Sequence, residues 1–225
     1  MPTLLHHPLD PSARIARLML AEYGIPTDLE LIKPWLREPD FLDINPAASV
    51  PVLVEDDIVA AVGLLATIHY IDSVYAPDAV AGLIPQDVAA RAEMWRLFEW
   101  VSGKFHDEVT RYIFEEKIAK RDQRGASPDT SVLRAAKANL VEHIHYFNYL
   151  CATRRWLAGD EMSLADFALA AHVSTLDYIG DLDWNLAGEM KDWYMRIKSR
   201  PAFRTLLNDR VTALPAAKGY ADLDF

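Results

Sequence analysis

The chain has 225 residues, 51% of them apolar, enough to bury an ordinary core as one large domain or two small ones. Its 23 basic and 33 acidic residues leave a formal net charge of −10, which disfavours general adhesion to nucleic acid or anionic lipid. The single cysteine, Cys151, excludes an internal disulfide, and no Cys and His cluster has the spacing of a metal site.

The first stretch, MPTLLHHPLDP, lacks the charged head and long apolar run of a signal peptide, and no window holds about 18 uninterrupted apolar residues. The expectation is a soluble cytoplasmic protein without membrane insertion. Thr3 to His6 reads as a short strand. Asp10-Pro11 then opens an amphipathic helix through Ile15, Leu18, Met19 and Glu22, which Gly24 closes where a left-handed cap is wanted. From Asp28 to Lys33, Leu29 and Leu31 alternate with polar residues as a second strand. Val50 to Val54 and Ile58 to Ala60 make two more, across the turn Glu55-Asp56-Asp57. Leu64 to Tyr75 is apolar at helical spacing. The order β-α-β, loop, β-β-α leaves room for one sheet.

Residues 77–85 are rich in Pro, Gly and Ala and read as a linker. Beyond them the strand signals stop. Trp95, Phe98, Val101, Phe105, Val109 and Tyr112 step along one long helix, and Ala136, Leu140, Ile144, Phe147 and Cys151 along a second. In MSLADFALAAH, Ser163 and Asp166 form a capping box while Met162 and Phe167 sit where a hydrophobic staple clamps the helix start. A last helix runs around Trp193, Ile197 and Phe203, ahead of a tail over residues 211–225. His6 and His7, adjacent on a strand end, and His143 and His145, two apart on a helix, cannot chelate together and read as surface or lightly buried groups. Cys151 lies on an apolar stripe and reads as an inert thiol.

Five stretches in this order, PLDPSARIARLMLAEYGI, FLDINPAASVPVLVEDD, RAEMWRLFEW, DEMSLADFALAAH and WYMRIKSRPAF, resemble the glutathione transferase superfamily over nearly the whole chain. The resemblance implies an α/β plus all-α architecture: a thioredoxin-like N-terminal domain over 1–76, the linker 77–85, an all-helical C-terminal domain over 86–210 and the tail 211–225. It also implies a cis peptide at Val50-Pro51 and a two-fold homodimer.

Fold does not carry function. The resemblance implies three features that hold glutathione: a hydroxyl or thiol at the start of the first helix facing the sulfur, the backbone before the cis proline, and an acid-Ser pair at the start of the third helix. The sequence departs at two of them. The activating position falls on Asp10, and an ionised carboxylate accepts hydrogen bonds, donates none, and raises the pKa of a nearby thiol. As a helix cap ahead of Pro11, the same Asp is worth about 1 kcal/mol. Ser12 is the substitute donor, although a Ser in a first turn more often bonds its own backbone. The acid-Ser positions fall on Gly63 and Leu64, so the charged ends of a γ-glutamyl group would meet apolar side chains. Of the three features only Val50 and Pro51 remain. The expectation is a degenerate glutathione site with no cofactor and no metal.

Three surface features stand out: Trp35 in a loop flanked by two prolines, the basic pair Arg134 and Lys137 beside Leu133 with Glu115 and Glu116 on the neighbouring helix, and the aromatic-rich tail LPAAKGYADLDF. That tail either docks on its own body or is offered to a partner. The segment HHPLDP, the missing acid-Ser pair and the ending YADLDF resemble glutathione-transferase-like cell-division proteins that bind the tubulin-like polymer protein FtsZ. That likeness implies a non-catalytic dimer acting on FtsZ filaments, with Trp35, Glu116, Leu133, Arg134, Lys137 and Asp224 as contact positions. The alternative is a glutathione-dependent transferase acting on a small electrophile, with Ser12 or a backbone amide activating the thiol.

Overall fold

The computed structural model describes residues 1–56, 58–76, 82–212 and 214–223. Most of the expected linker and the candidate Asp224 lie outside the described residues. The chain divides into two compact units, Met1–Leu83 with Pro201–Asp209, and Ile84–Arg200 with Arg210–Phe225.

The first unit is a four-stranded sheet of order β2-β1-β3-β4, with β1 (Thr3–His6) parallel to β2 (Asp28–Leu31) and antiparallel to β3 (Val52–Glu55), which pairs antiparallel with β4 (Ile58–Val62). This mixed sheet is the thioredoxin-like arrangement, and it carries α1 (Pro11–Glu22), the short α2 (Pro39–Ile44) and α3 (Leu64–Tyr75). Helix α1 starts as its sequence dictates: Asp10 is the N-cap, its carboxylate accepts the Ala13 N–H at 2.8 Å, and Pro11 supplies a preset φ. Ile15, Leu18 and Met19 of α1 are fully buried, each worth roughly 2 kcal/mol of transfer free energy. On β1, Leu5 joins Ala13, Phe41, Val50 and Val52 in a second cluster.

The segment Pro201–Asp209 continues the last helices in chain order yet packs with the first unit, because its end answers two buried cations. Arg14 and Arg17 of α1 lie 3.1 and 2.8 Å from the Asp209 carboxylate, and Arg17 also donates to the Thr205 carbonyl. Charges this deeply buried stay only where they are paired.

The second unit is all helical. Its elements are α4 (Val88–Glu99), α5 (Arg111–Lys117), α6 (Thr130–Thr153), α7 (Leu164–Ile179) and α8 (Gly188–Lys198), while the single turn α9 (Arg204–Leu207) belongs to the first unit. The chain from α4 to α5 is one unbroken rod, but its middle, Trp100–Thr110, is π-helix rather than α-helix. The buried residues Val101, Phe105, Val109 and Ile113 recur every four positions, a wider turn than 3.6 residues, which the apolar spacing alone did not distinguish from an α-helix. Helix α7 is the core of this unit, buried from Leu164 to Tyr178. Its capping box forms as expected, and the Asp166 carboxylate also accepts from Leu157 N–H and Trp193 Nε1, each at 2.9 Å.

Three of the four histidines expected near the surface are buried. His7 Nδ1 accepts the Leu9 N–H and its ring meets Trp35 edge-on at 5.0 Å, and His6 lies on the sheet face toward the α1 arginines. His143 sits between Trp100 Nε1 at 3.2 Å and Glu108 at 2.9 Å. Polar partners inside the fold make the burial of His7 and His143 tolerable, whereas His6 Nδ1 is left without a hydrogen-bond partner among the described residues and burial beside the arginines keeps that ring neutral. His145 is exposed. Cys151 is partly buried, and burial pushes its thiol up to about 12, so the reactive thiolate is scarce at neutral pH.

Candidate functional site

The residues expected to form a thiol site occupy three turns of the first unit. Asp10 faces the first turn of α1, partly buried, with the Ala13 and Ser12 N–H groups and the Arg14 guanidinium around it. Burial pushes its carboxyl up to about 6 against the downward pull of those neighbours, which leaves it mostly ionised at pH 7. Ser12 is partly buried one residue into the helix. The Val50-Pro51 peptide is cis, as expected. The Pro51 carbonyl accepts the Gly63 N–H at 2.9 Å, tying the proline turn to the start of α3.

That start is chemically bare. Gly63 is the N-cap of α3 at φ +83°, ψ 164°, a backbone conformation that a residue with a Cβ adopts only under strain, and it offers no side chain to the helix amides. Leu64 follows, partly buried, and the first turn carries no acid. An ammonium and a carboxylate brought here find backbone amides for the anion and, in the first turn of α3, no acid for the cation.

The expected contact residues divide into groups. Trp35, in the 3-10 turn Pro34–Leu36, is partly buried against His7. Four others gather where α5 ends and α6 begins. Arg134 is exposed, Leu133 is partly buried, and Lys137 reaches from the exposed face of α6 to place its ammonium 2.7 Å from Asp181. Asp181 is drawn there by the end of α7: Gly180 takes the left-handed cap at φ +78°, and Asp181 N–H turns back onto the Leu176 carbonyl at 2.9 Å. Lys117 of α5 approaches the same carboxylate at 2.6 Å. Two lysines from different helices thus share one buried acid, a pairing that no sequence spacing announced. The Gly180 cap was its only local signal.

Glu116 does not behave as a surface contact. It is 7% exposed and turned inward, where it accepts from Lys120 at 2.6 and 2.7 Å and from the Asp129 N–H at 2.7 Å. The Lys120 ammonium, with the Asp129 amide behind it, holds its carboxyl below the usual range. Since Asp129 is itself the N-cap of α6, accepting from Ser131 and Val132, Glu116 fixes where α6 begins and therefore where Arg134 and Lys137 project. A groove of about 440 Å³ runs beside Lys137, floored by Leu140 and Ile144 and walled by Asp181 and Leu186.

Part of the tail docks on its own unit. Tyr220 is buried edge-on against Tyr178 at 5.0 Å, and the Tyr178 carbonyl accepts the Ala217 N–H at 2.8 Å. Leu223 stays exposed.

The family model of the glutathione S-transferase N-terminal domain matches residues 11–74, and that of the C-terminal domain matches residues 109–201. FtsZ-localized protein A of Caulobacter vibrioides is 41% identical over 223 residues, covering 99% of this chain and 98% of that protein. The chain belongs to the glutathione S-transferase superfamily. Among solved structures of the superfamily, FzlA from C. crescentus superposes with a TM-score of 0.93 at 40% identity over 100% of this chain and 99% of that one. A glutathione S-transferase from Sinorhizobium meliloti does so with a TM-score of 0.93 at 42% identity, covering both chains in full.

Proposed function

We propose that this protein is a non-catalytic member of the glutathione S-transferase superfamily that binds FtsZ filaments as a homodimer and regulates their curvature, bundling and constriction in cell division. The observation that carries the non-catalytic reading is the start of α3, where Gly63 and Leu64 stand in place of side chains that could grip a γ-glutamyl group. The polymer partner rests on the near-full-length likeness to FtsZ-localized protein A. Arg134, Lys137, Leu133 and Trp35 are the proposed contacts, with Asp224 outside the described residues and Glu116 as the residue that positions α6. A dimer carries two equal sites, so bridging of neighbouring filaments follows from avidity alone.

Co-sedimentation with FtsZ polymer at rising salt tests this reading. Arg134 is exposed, and among the described residues no ion pair holds it, so Arg134→Glu should abolish pelleting while leaving the melting temperature unchanged. Undiminished pelleting of that variant assigns the contact to another surface. The second reading, a glutathione-dependent transferase using Ser12 or a backbone amide, is favoured by one observation: the similarly close Sinorhizobium meliloti relative is described as a glutathione S-transferase. Turnover of a generic electrophile at millimolar thiol would establish it.

A further inference from the structure

The first unit presents an open sheet edge. β2 pairs only with β1, and all four of its residues are exposed, Leu29 at 43% and Leu31 at 56%. The Asp28 N–H donates to the Pro2 carbonyl at 3.0 Å and the Ile32 N–H to the His6 carbonyl at 2.7 Å. With a side-to-side period of two, the even-numbered residues of this segment turn toward β1 and the N–H and C=O of Leu29 and Leu31 turn outward. Among the described residues, no backbone hydrogen bond beyond the ladder reaches either leucine.

The two faces of this edge differ in chemistry. Leu29 and Leu31 lie opposite Leu4 and His6 in register, on the same side of the sheet. Beside Leu29 is a dimple of about 90 Å³ lined by Leu20, Ala21 and Ile25, and its Arg17 is already paired with Asp209. That is less than the ~150 Å³ that admits benzene and suits a single aliphatic side chain. Beyond Leu31 a second hollow, of about 230 Å³, is lined by Ile32, Leu36 and Phe41, and since Ile32 and Phe41 pack with Leu5 it belongs to the opposite face. Asp28 and Glu30 project from the other face, both exposed, and the following stretch adds exposed Glu38, Asp40 and Asp43 against only Lys33 and Arg37.

The geometry points to β2 as the docking edge for an extended segment of a partner protein in which apolar and basic residues alternate. Such a strand would take up the outward N–H and C=O groups of Leu29 and Leu31, place an apolar side chain over the dimple beside Leu29, and set its Lys or Arg side chains beside Asp28 and Glu30. A second copy of this chain fits poorly, because antiparallel pairing of two β2 edges sets Asp28 and Glu30 against their own counterparts. The edge also lacks the lysines and internal proline with which exposed strands are commonly blunted. The proposal does not rest on the FtsZ reading and stands or falls separately from it.

The test uses the full chain and two synthetic peptides, one alternating lysine with valine and one alternating glutamate with valine. Binding is read by NMR titration and by amide exchange at Leu29 and Leu31. The lysine peptide should bind saturably, slow both amides and weaken with salt, while the glutamate peptide should not bind. Leu31→Pro removes an outward N–H and leaves the ladder through Asp28, Glu30 and Ile32 intact, so it should weaken binding by about tenfold or more, whereas Leu31→Thr should not. Should Leu31→Pro fail to fold, the double variant Asp28→Lys/Glu30→Lys decides, since it should exchange the preference for the lysine peptide for one toward the glutamate peptide. Absence of saturable binding, binding that survives Leu31→Pro undiminished, a retained lysine preference in the double variant, or a change in oligomeric state caused by Leu31→Pro would each overturn the proposal.

Discussion

At the start of α1, Asp10 accepts the Ala13 N–H while burial resists its charge, so a single carboxylate stabilises the helix and suffers for being ionised. The folded-state value of about 6 lies above the ordinary 3.8, which means that the folded chain binds this proton more tightly than the unfolded chain. The contribution of Asp10 to stability therefore rises as pH falls from above 6 toward 4 and is lost in the other direction. Asn caps a helix as well as Asp but carries no charge. Asp10→Asn should accordingly match or exceed the wild type in stability at pH 7.5 and lose that advantage by pH 4, as denaturant midpoints at the two pH values will show. Asp10→Ala should cost about 1 kcal/mol at pH 4, where only the cap is removed. Asp10 was legible in the sequence as a cap, because a cap is decided by its nearest neighbours. Its raised pKa was not, because that depends on what covers it.

Between residues and whole units, the helices are held by junctions rather than by propensity alone. The capping box of α7 reads from four consecutive residues, and the structure adds two partners from distant positions, Leu157 and Trp193. Asp166→Ala leaves these donors and the Ser163 N–H without an acceptor in the core, at a cost of about 3 kcal/mol or more, measurable by denaturant unfolding. Ser163→Ala should cost about 1 kcal/mol, since it removes only one part of the box. The π-helical run Trp100–Thr110 shows the opposite balance. Its apolar spacing fits an α-helix well enough to be read as one, and the structure adds contacts from α6 that spacing does not show, His143 to the Glu108 carboxylate and Asn139 Nδ2 donating to the Glu108 carbonyl. The inward Glu116 is a mixed case: two of its three acceptor contacts come from Lys120, four residues on and legible as a helical pair, but the third comes from the Asp129 N–H at a helix cap that periodicity does not join to it.

For the molecule as a whole, the question is whether a thiol fold still handles a thiol. A ligand that binds only the native state raises its stability by mass action, by about 2.7 kcal/mol at a hundredfold excess over the dissociation constant. Glutathione at 10 mM should therefore leave the melting temperature unchanged if the bare start of α3 has the consequence argued here, and a saturable upward shift would remove the non-catalytic reading. The paired lysines make a second separation between folding and binding. Arg134→Glu changes surface charge alone, whereas Lys137→Glu sets a new acid beside the buried Asp181 and should lower stability as well as pelleting, with thermal melts telling the two apart.

The sequence by itself determined the order of the four strands and the longer helices, though not the short α2 within the stretch read as a loop, together with the caps at Asp10 and Ser163, the cis proline expected from the family and the lack of an acid at the start of α3, because each depends on residue type at short range or on a family pattern spread along the chain. Only the tertiary structure decided that Pro201–Asp209 belongs with the first unit, that Glu116 faces inward, that Lys117 and Lys137 share Asp181, and that Leu29 and Leu31 stand on an open edge. Burial and charge pairing are properties of neighbours far apart in the chain. Period and composition describe which face of an element is apolar, but what covers that face, and what answers a charge on it, is set when the elements pack.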